Sequence, residues 1–458
     1  MTFDPDTAAI RFGTGLSPEI APPTGVDEML RRLSGPDRMA RQFQIDGFDR
    51  IEQLMSEIQA LNRERRQNPE RKTRIKEQVR SRRRQARQLQ AGWLKSTIAR
   101  GVFTNDGLRE RLVDFWADHF TVKGKRSITR PAVSTYVEDA IRPNIAGSFA
   151  TLLKAAIFHP MMLSYLDQIN SVGPNSLVAV RKPGRGMNEN LAREVLELHT
   201  LGVNAGYTQK DVVELAKLFT GLTYRMGKGF VYGVKMAEPG AETVLGKSYG
   251  GYRNDLSDIE DFLEDVAVHP DTARHLARKL VVHFISDTPD RSLVDHIAAT
   301  YLESGGNLMQ AYSAMLGHPS AWALPGRKVK QPSAFVIAAI RALAVPKQRI
   351  MEARWQDVRD LIYAPLGLMG QPWQNPAGPD GWPEEAEHWI TPQGLAARIQ
   401  WAMTVPAIMR PDLPDPRRFV QTALGNRADD RLRFAVAAAE VKSEGVGLVL
   451  VSPAFQRN

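Results

Sequence analysis

Hydrophobic residues recur three and four positions apart along most of this chain, which lays an apolar stripe on one face of a helix. Leu108, Leu112 and Phe115 form such a stripe, and His119 falls in line with it. The pattern predicts helices over 48–66, 70–91, 105–121, 188–202 and 208–221. It predicts them again over 270–285, 290–304, 307–316, 332–344, 392–403 and 430–441. The ends carry side chains that free backbone groups need. Asn105-Asp106 caps one helix, Thr208 with Asp211 another, and Ser257-Asp258-Ile259-Glu260 fits a capping box. Pro69 breaks the first pair, while Gly202 and Gly221 stop the later two. His159-Pro160, His269-Pro270 and His318-Pro319 each join an apolar helical stretch to a new start. The histidine is expected to meet the last carbonyls of one helix while the proline opens the next.

Strand character is confined to 224–251, where Phe230-Val231-Tyr232 and Thr243-Val244-Leu245 suffice for one small hairpin. Residues 364–392 form a long Pro/Gly/Trp-rich loop, and Trp373, Trp382 and Trp389 argue for order in it. The expected fold is mainly α. One domain spans 1–458, a large irregular multi-helix array with that β-hairpin and a projecting basic helical hairpin, 48–92.

Composition narrows the function by exclusion. No stretch approaches the roughly 18 apolar residues of a spanning helix. The first residues carry acids where a signal peptide carries bases, so the expected location is cytoplasmic. The chain has no cysteine, hence no disulfide, thiolate nucleophile or Cys-based metal site. Walker, G-x-S-x-G and dinucleotide-binding motifs are missing as well.

Charge is concentrated in one place. Arg63 to Arg87 holds twelve cations against Glu64, Glu70 and Glu77, which accounts for the whole net charge of +9. With few apolar residues, the segment is expected to bury little. Its charge suits an anionic partner (protein, nucleic acid or membrane surface), against the simpler reading of a solubilising hairpin. It has no aromatic residue before Trp93 on which bases could stack.

A second polar concentration lies on the 188–202 helix. Glu189, Arg193 and Glu197 rise as an i,i+4 ladder beside Asn190 and Glu194, behind Gly184-Arg185-Gly186. The simplest reading is a solvated ion-pair ladder. The functional one is a cluster that holds a hard cation through oxygens or an anion through the arginines. His199 lies on the opposite, apolar arc, as His119 does on its own helix. Both are expected as hydrogen-bonded core histidines, against a general base and its orienting partner beneath the Trp loop. The candidate site is His119, Asn188, Glu189, Arg193, Glu194 and Glu197, bordering one cleft with the Trp382 loop. Its cofactor, metal and substrate are left open.

The stretch Gly186-Met187-Asn188-Glu189-Asn190-Leu191-Ala192-Arg193-Glu194-Val195-Leu196-Glu197-Leu198-His199-Thr200-Leu201-Gly202 closely resembles the signature of the domain-of-unknown-function 1800 family of bacterial proteins. Gly206-Tyr207-Thr208-Gln209, Phe115-Trp116-Ala117-Asp118-His119-Phe120 and His159-Pro160-Met161-Met162 are similar to further segments of that family. The resemblance implies no activity or catalytic residue. It does imply frequent export and a partner of sulfatase-like fold. Where relatives show a His-Asp pair after the β segment, this chain has Met236-Ala237-Glu238. The expected function is therefore that of an enzyme or small-ligand binder with a polar cleft at 184–211. The alternative is an accessory protein docking through the basic insert.

Overall fold

A computed structural model of the chain describes residues 3–125, 127–182, 184–251, 255–323, 326 and 328–458. The fold is mainly α, and among the described residues the only sheets are two antiparallel two-stranded ones. Segment 224–251 thus makes two hairpins where the pattern predicted one. Leu222–Arg225 pairs with Gly229–Tyr232, and Gly240–Val244 with Lys247–Gly251. The second turn is Leu245-Gly246, with both residues at positive φ, the geometry of a tight two-residue hairpin turn. That turn is tied to the Gln209–Leu218 helix: Asp211, half of the Thr208 capping box, also accepts from Leu245 N at 2.8 Å.

Apolar side chains gather in two large clusters. One runs from Ala8 through the Gly107–His119 and Pro270–Phe284 helices to Trp322. The other is built from Pro332–Ala342, Pro392–Met409 and Lys442–Val451. Both use the long helix Lys72–Phe103: Trp93 packs in the first cluster, Leu94, Ile98 and Val102 in the second.

The basic hairpin breaks at Pro69 as predicted, between Phe48–Gln67 and Lys72–Phe103. Its second helix runs well beyond the predicted end, because the Trp93–Val102 half is a core element. The expectation of little burial holds for the cations and fails for the hairpin's inner face, where Ile58, Ile75 and Val79 form a small cluster of their own.

The three His-Pro corners are built, but the histidine works forward rather than backward. His159, His269 and His318 each accept through Nδ1, at 3.1–3.2 Å, from the backbone N–H two residues on. Proline at the first helical position has no N–H, so the next residue is the first free donor, and the ring caps it. A second correction concerns the 256–267 helix, which is capped by Asp255 with Asp258 rather than from Ser257.

Candidate functional site

Helix Gly107–His119 separates two environments, and its sequence dictates which face meets which. Leu108, Leu112, Phe115 and His119 enter the first core. Arg111, Asp114 and Asp118, spaced by three and four, share the opposite face. They open onto a cavity of about 160 Å³ at the seam between the two cores. The far wall comes from Thr97 and Arg100 of the long helix, His283, Lys328 and Glu384, with Trp373 and Trp382 of the Trp loop.

Most charges around this cavity are paired. Arg142 holds Glu110 and Asp37, Arg100 holds Glu138, and Lys328 bridges Asp287 and Glu384. His283 sits between Arg111 and Glu384, with Nε2 at 3.1 Å from Arg111 Nη2 and Nδ1 at 2.6 Å from Glu384 Oε1. Arginine can only donate, so Nε2 accepts, and the ring proton sits on Nδ1 and is given to the carboxylate. Burial lowers the His283 pKa, and the ring is neutral. Burial pushes Glu384 up, but His283 and Lys328 outweigh it and hold the carboxyl at about 2.

Asp114 and Asp118 differ from these. Neither forms an ion pair within 4.0 Å among the described residues. Burial pushes the Asp118 carboxyl up to about 7, with Lys279 opposing; Asp114 is raised as well, against the pull of Arg111. Asp114 is exposed where it faces the cavity, and Asp118 is half-buried. Asp118 accepts from Trp382 N at 2.8 Å, which fixes the loop over the cavity. Gly381 permits that approach: its φ is +84°, and a Cβ there would lie 2.7 Å from the Asp118 carboxyl. Two buried donors of the lining, Arg111 Nε and Trp373 Nε1, have no hydrogen-bond partner among the described residues.

The residues singled out from sequence lie elsewhere. His119 and His199 are 2% and 1% exposed, so His119 does not border an open cleft. Helix Asn190–Glu194 passes into a π turn, Val195–His199, in place of one continuous helix, and the carbonyls at its end need donors. His119 Nε2 lies 3.1 Å from His199 O, His199 Nδ1 lies 3.0 Å from His119 O, and His275 Nε2 lies 3.1 Å from Leu198 O. A carbonyl only accepts, so each ring nitrogen carries a proton there. Burial and the nearby Lys279 charge lower the His199 pKa to about 3 and that of His275 to about 4, while His119 falls well below its usual value. The three histidines staple one turn to two helices.

The ladder forms as spaced. Arg193 reaches Glu189 at 3.1 Å and Glu197 at 3.4 Å, and Gln209 joins at 3.0 Å. Asn188 accepts from Asn190 N, a local turn bond. Glu194 is pushed up to about 7 by burial, then by Glu197 and Asp380. Asp380 also raises Asp118, so the Trp loop stands near both places, but none of Asn188, Glu189, Arg193, Glu194 and Glu197 lines the cavity. Among the described residues no three His, Asp or Glu side chains gather as a metal site.

These contacts rank two substitutions. Arg193→Ala should cost less than about 1 kcal/mol in urea unfolding, because the ladder is half exposed. His199→Ala should cost about 2 kcal/mol, because the buried His119 carbonyl loses its donor. The native state keeps His199 neutral, so its contribution is present above about pH 6.5 and fades as pH falls. The opposite ranking would make the ladder the structural network.

Asp118 belongs to a quoted sequence segment, and its placement four residues after Asp114 opposite an aromatic stripe was the one local signal for the cavity. His283, Lys328 and Glu384 arrive from far along the chain, and no local pattern joins them.

Over residues 7–457 the chain matches the family described as "Protein of unknown function (DUF1800)", and it belongs to that family. No curated protein and no solved structure matches it. No helix among the described residues is long and apolar enough to cross a membrane.

Proposed function

We propose that the cavity beneath the Trp loop binds a small ligand rich in hydroxyl or amino groups and performs acid–base chemistry on it. The observation that carries this reading is the pair Asp114 and Asp118, two carboxyls without ionic partners that face one cavity. A pKa near 7 lets Asp118 take and return a proton at neutral pH, the condition for general acid–base work. The neutral His283 in the far wall has both ring nitrogens engaged, and so fixes Arg111 and Glu384 across from the two aspartates. The unpartnered Arg111 and Trp373 N–H groups call for acceptors on the ligand, and the two carboxyls call for donors. A cavity of about 160 Å³ matches the roughly 150 Å³ that accommodates a single six-membered ring.

Thermal unfolding with a panel of polyols, amino sugars, amino acids, simple anions and apolar rings tests this. A hydroxyl- or amino-rich member at about 100 times its Kd should stabilise the protein by about 2.7 kcal/mol. That stabilisation should vanish in Asp118→Asn. Stabilisation confined to anions or apolar rings would sink the reading.

A further inference from the structure

The basic hairpin does not stand free of the body. Between its inner side and the facing body segments runs an open groove of about 990 Å³. Arg65 and Arg66 line it from the first hairpin helix, and Lys76, Arg80 and Arg83 from the second. Among the described residues none of these five forms an ion pair; in this stretch Arg71 meets Glu64 and Arg82 meets Glu57. The opposite wall adds Lys123 and Lys125, and among the described residues the only acid lining the groove, Asp167, is paired with Lys125 at 2.6 Å. On the second helix Lys76, Arg80 and Arg83 are spaced by four and three, so they follow one another along one face at about 6 and 4.5 Å of rise.

The floor has a different character. Tyr165 and Tyr224, with Met55, Met161 and Ile169, line it from the body and the first hairpin helix. The hairpin's arginine-rich stretch has no aromatic ring; Phe48 lines the groove at the start of its first helix, and the fold supplies two tyrosines from distant segments.

From this juxtaposition we infer that the groove binds single-stranded nucleic acid, with phosphates along the arginine-rich wall and bases against the tyrosines. A charged groove that tracks the backbone, combined with aromatic rings for base stacking, is the usual construction of sites that bind single strands without reading sequence. Arginine dominates the hairpin wall, and its planar fork suits phosphate oxygens. A duplex turns its base faces inward and offers nothing to the apolar floor. The acidic side chains of a peptide have no flat rings to lay on the tyrosines, and a planar bilayer does not enter a cleft with two walls.

The test uses the full chain and a fluorescein-labelled twelve-residue oligothymidylate, followed by anisotropy. Binding should weaken steeply with salt, log K falling by about 0.7 per phosphate contacted for each unit of log salt. Arg80→Glu with Arg83→Glu should weaken it more than tenfold. Tyr165→Ala should weaken it about tenfold, the effect of losing one stacked base, and Tyr165→Phe should leave it nearly unchanged. Thermal midpoints within a few degrees of the parent, read by circular dichroism, qualify each variant. If Tyr165→Ala misfolds, Tyr224→Ala with Tyr224→Phe replaces it. The inference is overturned if the oligonucleotide fails to bind at 50 mM salt. It is equally overturned if heparin, polyglutamate or anionic vesicles bind as tightly as the oligonucleotide, or if loss of the ring changes nothing.

Discussion

Replacing Arg142 by alanine is expected to remove about 3–5 kcal/mol of stability, the usual result of breaking a buried ionic cluster from one side. Arg142 is 5% exposed and holds two carboxylates at once. Its Nη1 and Nη2 donate to Glu110 at 2.9 and 2.6 Å, and Nε and Nη2 donate to Asp37 at 2.6 and 3.1 Å. Without the guanidinium both acids remain in a place that water does not reach freely. Asp37 shows what is at stake, because burial alone would raise its pKa and Arg142 turns the shift downward. The loss should therefore shrink in acid, where the orphaned Asp37 carboxyl protonates in the variant. Urea unfolding at pH 7 and pH 4.5 measures both effects. A double replacement with Glu110→Gln should cost less than the sum of the two singles, since the groups form one network. A loss under about 1 kcal/mol at pH 7 would mean that the cluster opens to solvent.

The second large effect has the opposite sign. Asp118→Asn should stabilise the protein at pH 8 by about 3 kcal/mol. The carboxyl is pushed from 3.8 to about 7 in the folded chain, where burial leads and Lys279 opposes. Three units at about 1.36 kcal/mol each set a ceiling near 4 kcal/mol, and access to cavity water lowers it. Between about pH 4 and pH 7 the folded state binds more protons than the unfolded one. Asp118 therefore costs stability increasingly as pH rises through that window, and the cost is level above it. Asparagine keeps an acceptor for Trp382 N–H and has no charge to bury. Chemical unfolding at pH 4.5, 6 and 8 should show a gain that grows with pH. A loss at pH 8, or a gain independent of pH, would mean that Lys279 holds Asp118 as an ordinary ion pair.

How much of this was legible in the sequence depends on distance along the chain. Helices such as Pro270–Phe284 and Leu308–Gly317 follow from periodicity and caps that lie within a few residues of each other. The ladder of Glu189, Arg193 and Glu197 is equally local and formed as spaced. What was illegible is what two distant segments make together. The π turn at Val195–His199 answers to tertiary carbonyl–histidine bonds, so counting 100° per residue gives no sign of it. The long helix passes its predicted end because Leu94, Ile98 and Val102 belong to a core assembled from residues beyond 330. The polar concentration at 188–197 drew attention because its charges are neighbours in sequence. The cavity's charges meet only once the chain is folded.

The helix Lys72–Phe103 is unbroken over 32 residues, about 48 Å at 1.5 Å per residue. Lys76, Arg80 and Arg83 near one end wall the groove, while Thr97 and Arg100 near the other wall the cavity. It is one stiff rod with a hand at each end. Its Arg100 end is anchored in the core, where the guanidinium donates to Phe43 O and pairs with Glu138, so the groove and the cavity are set at a fixed spacing by one element.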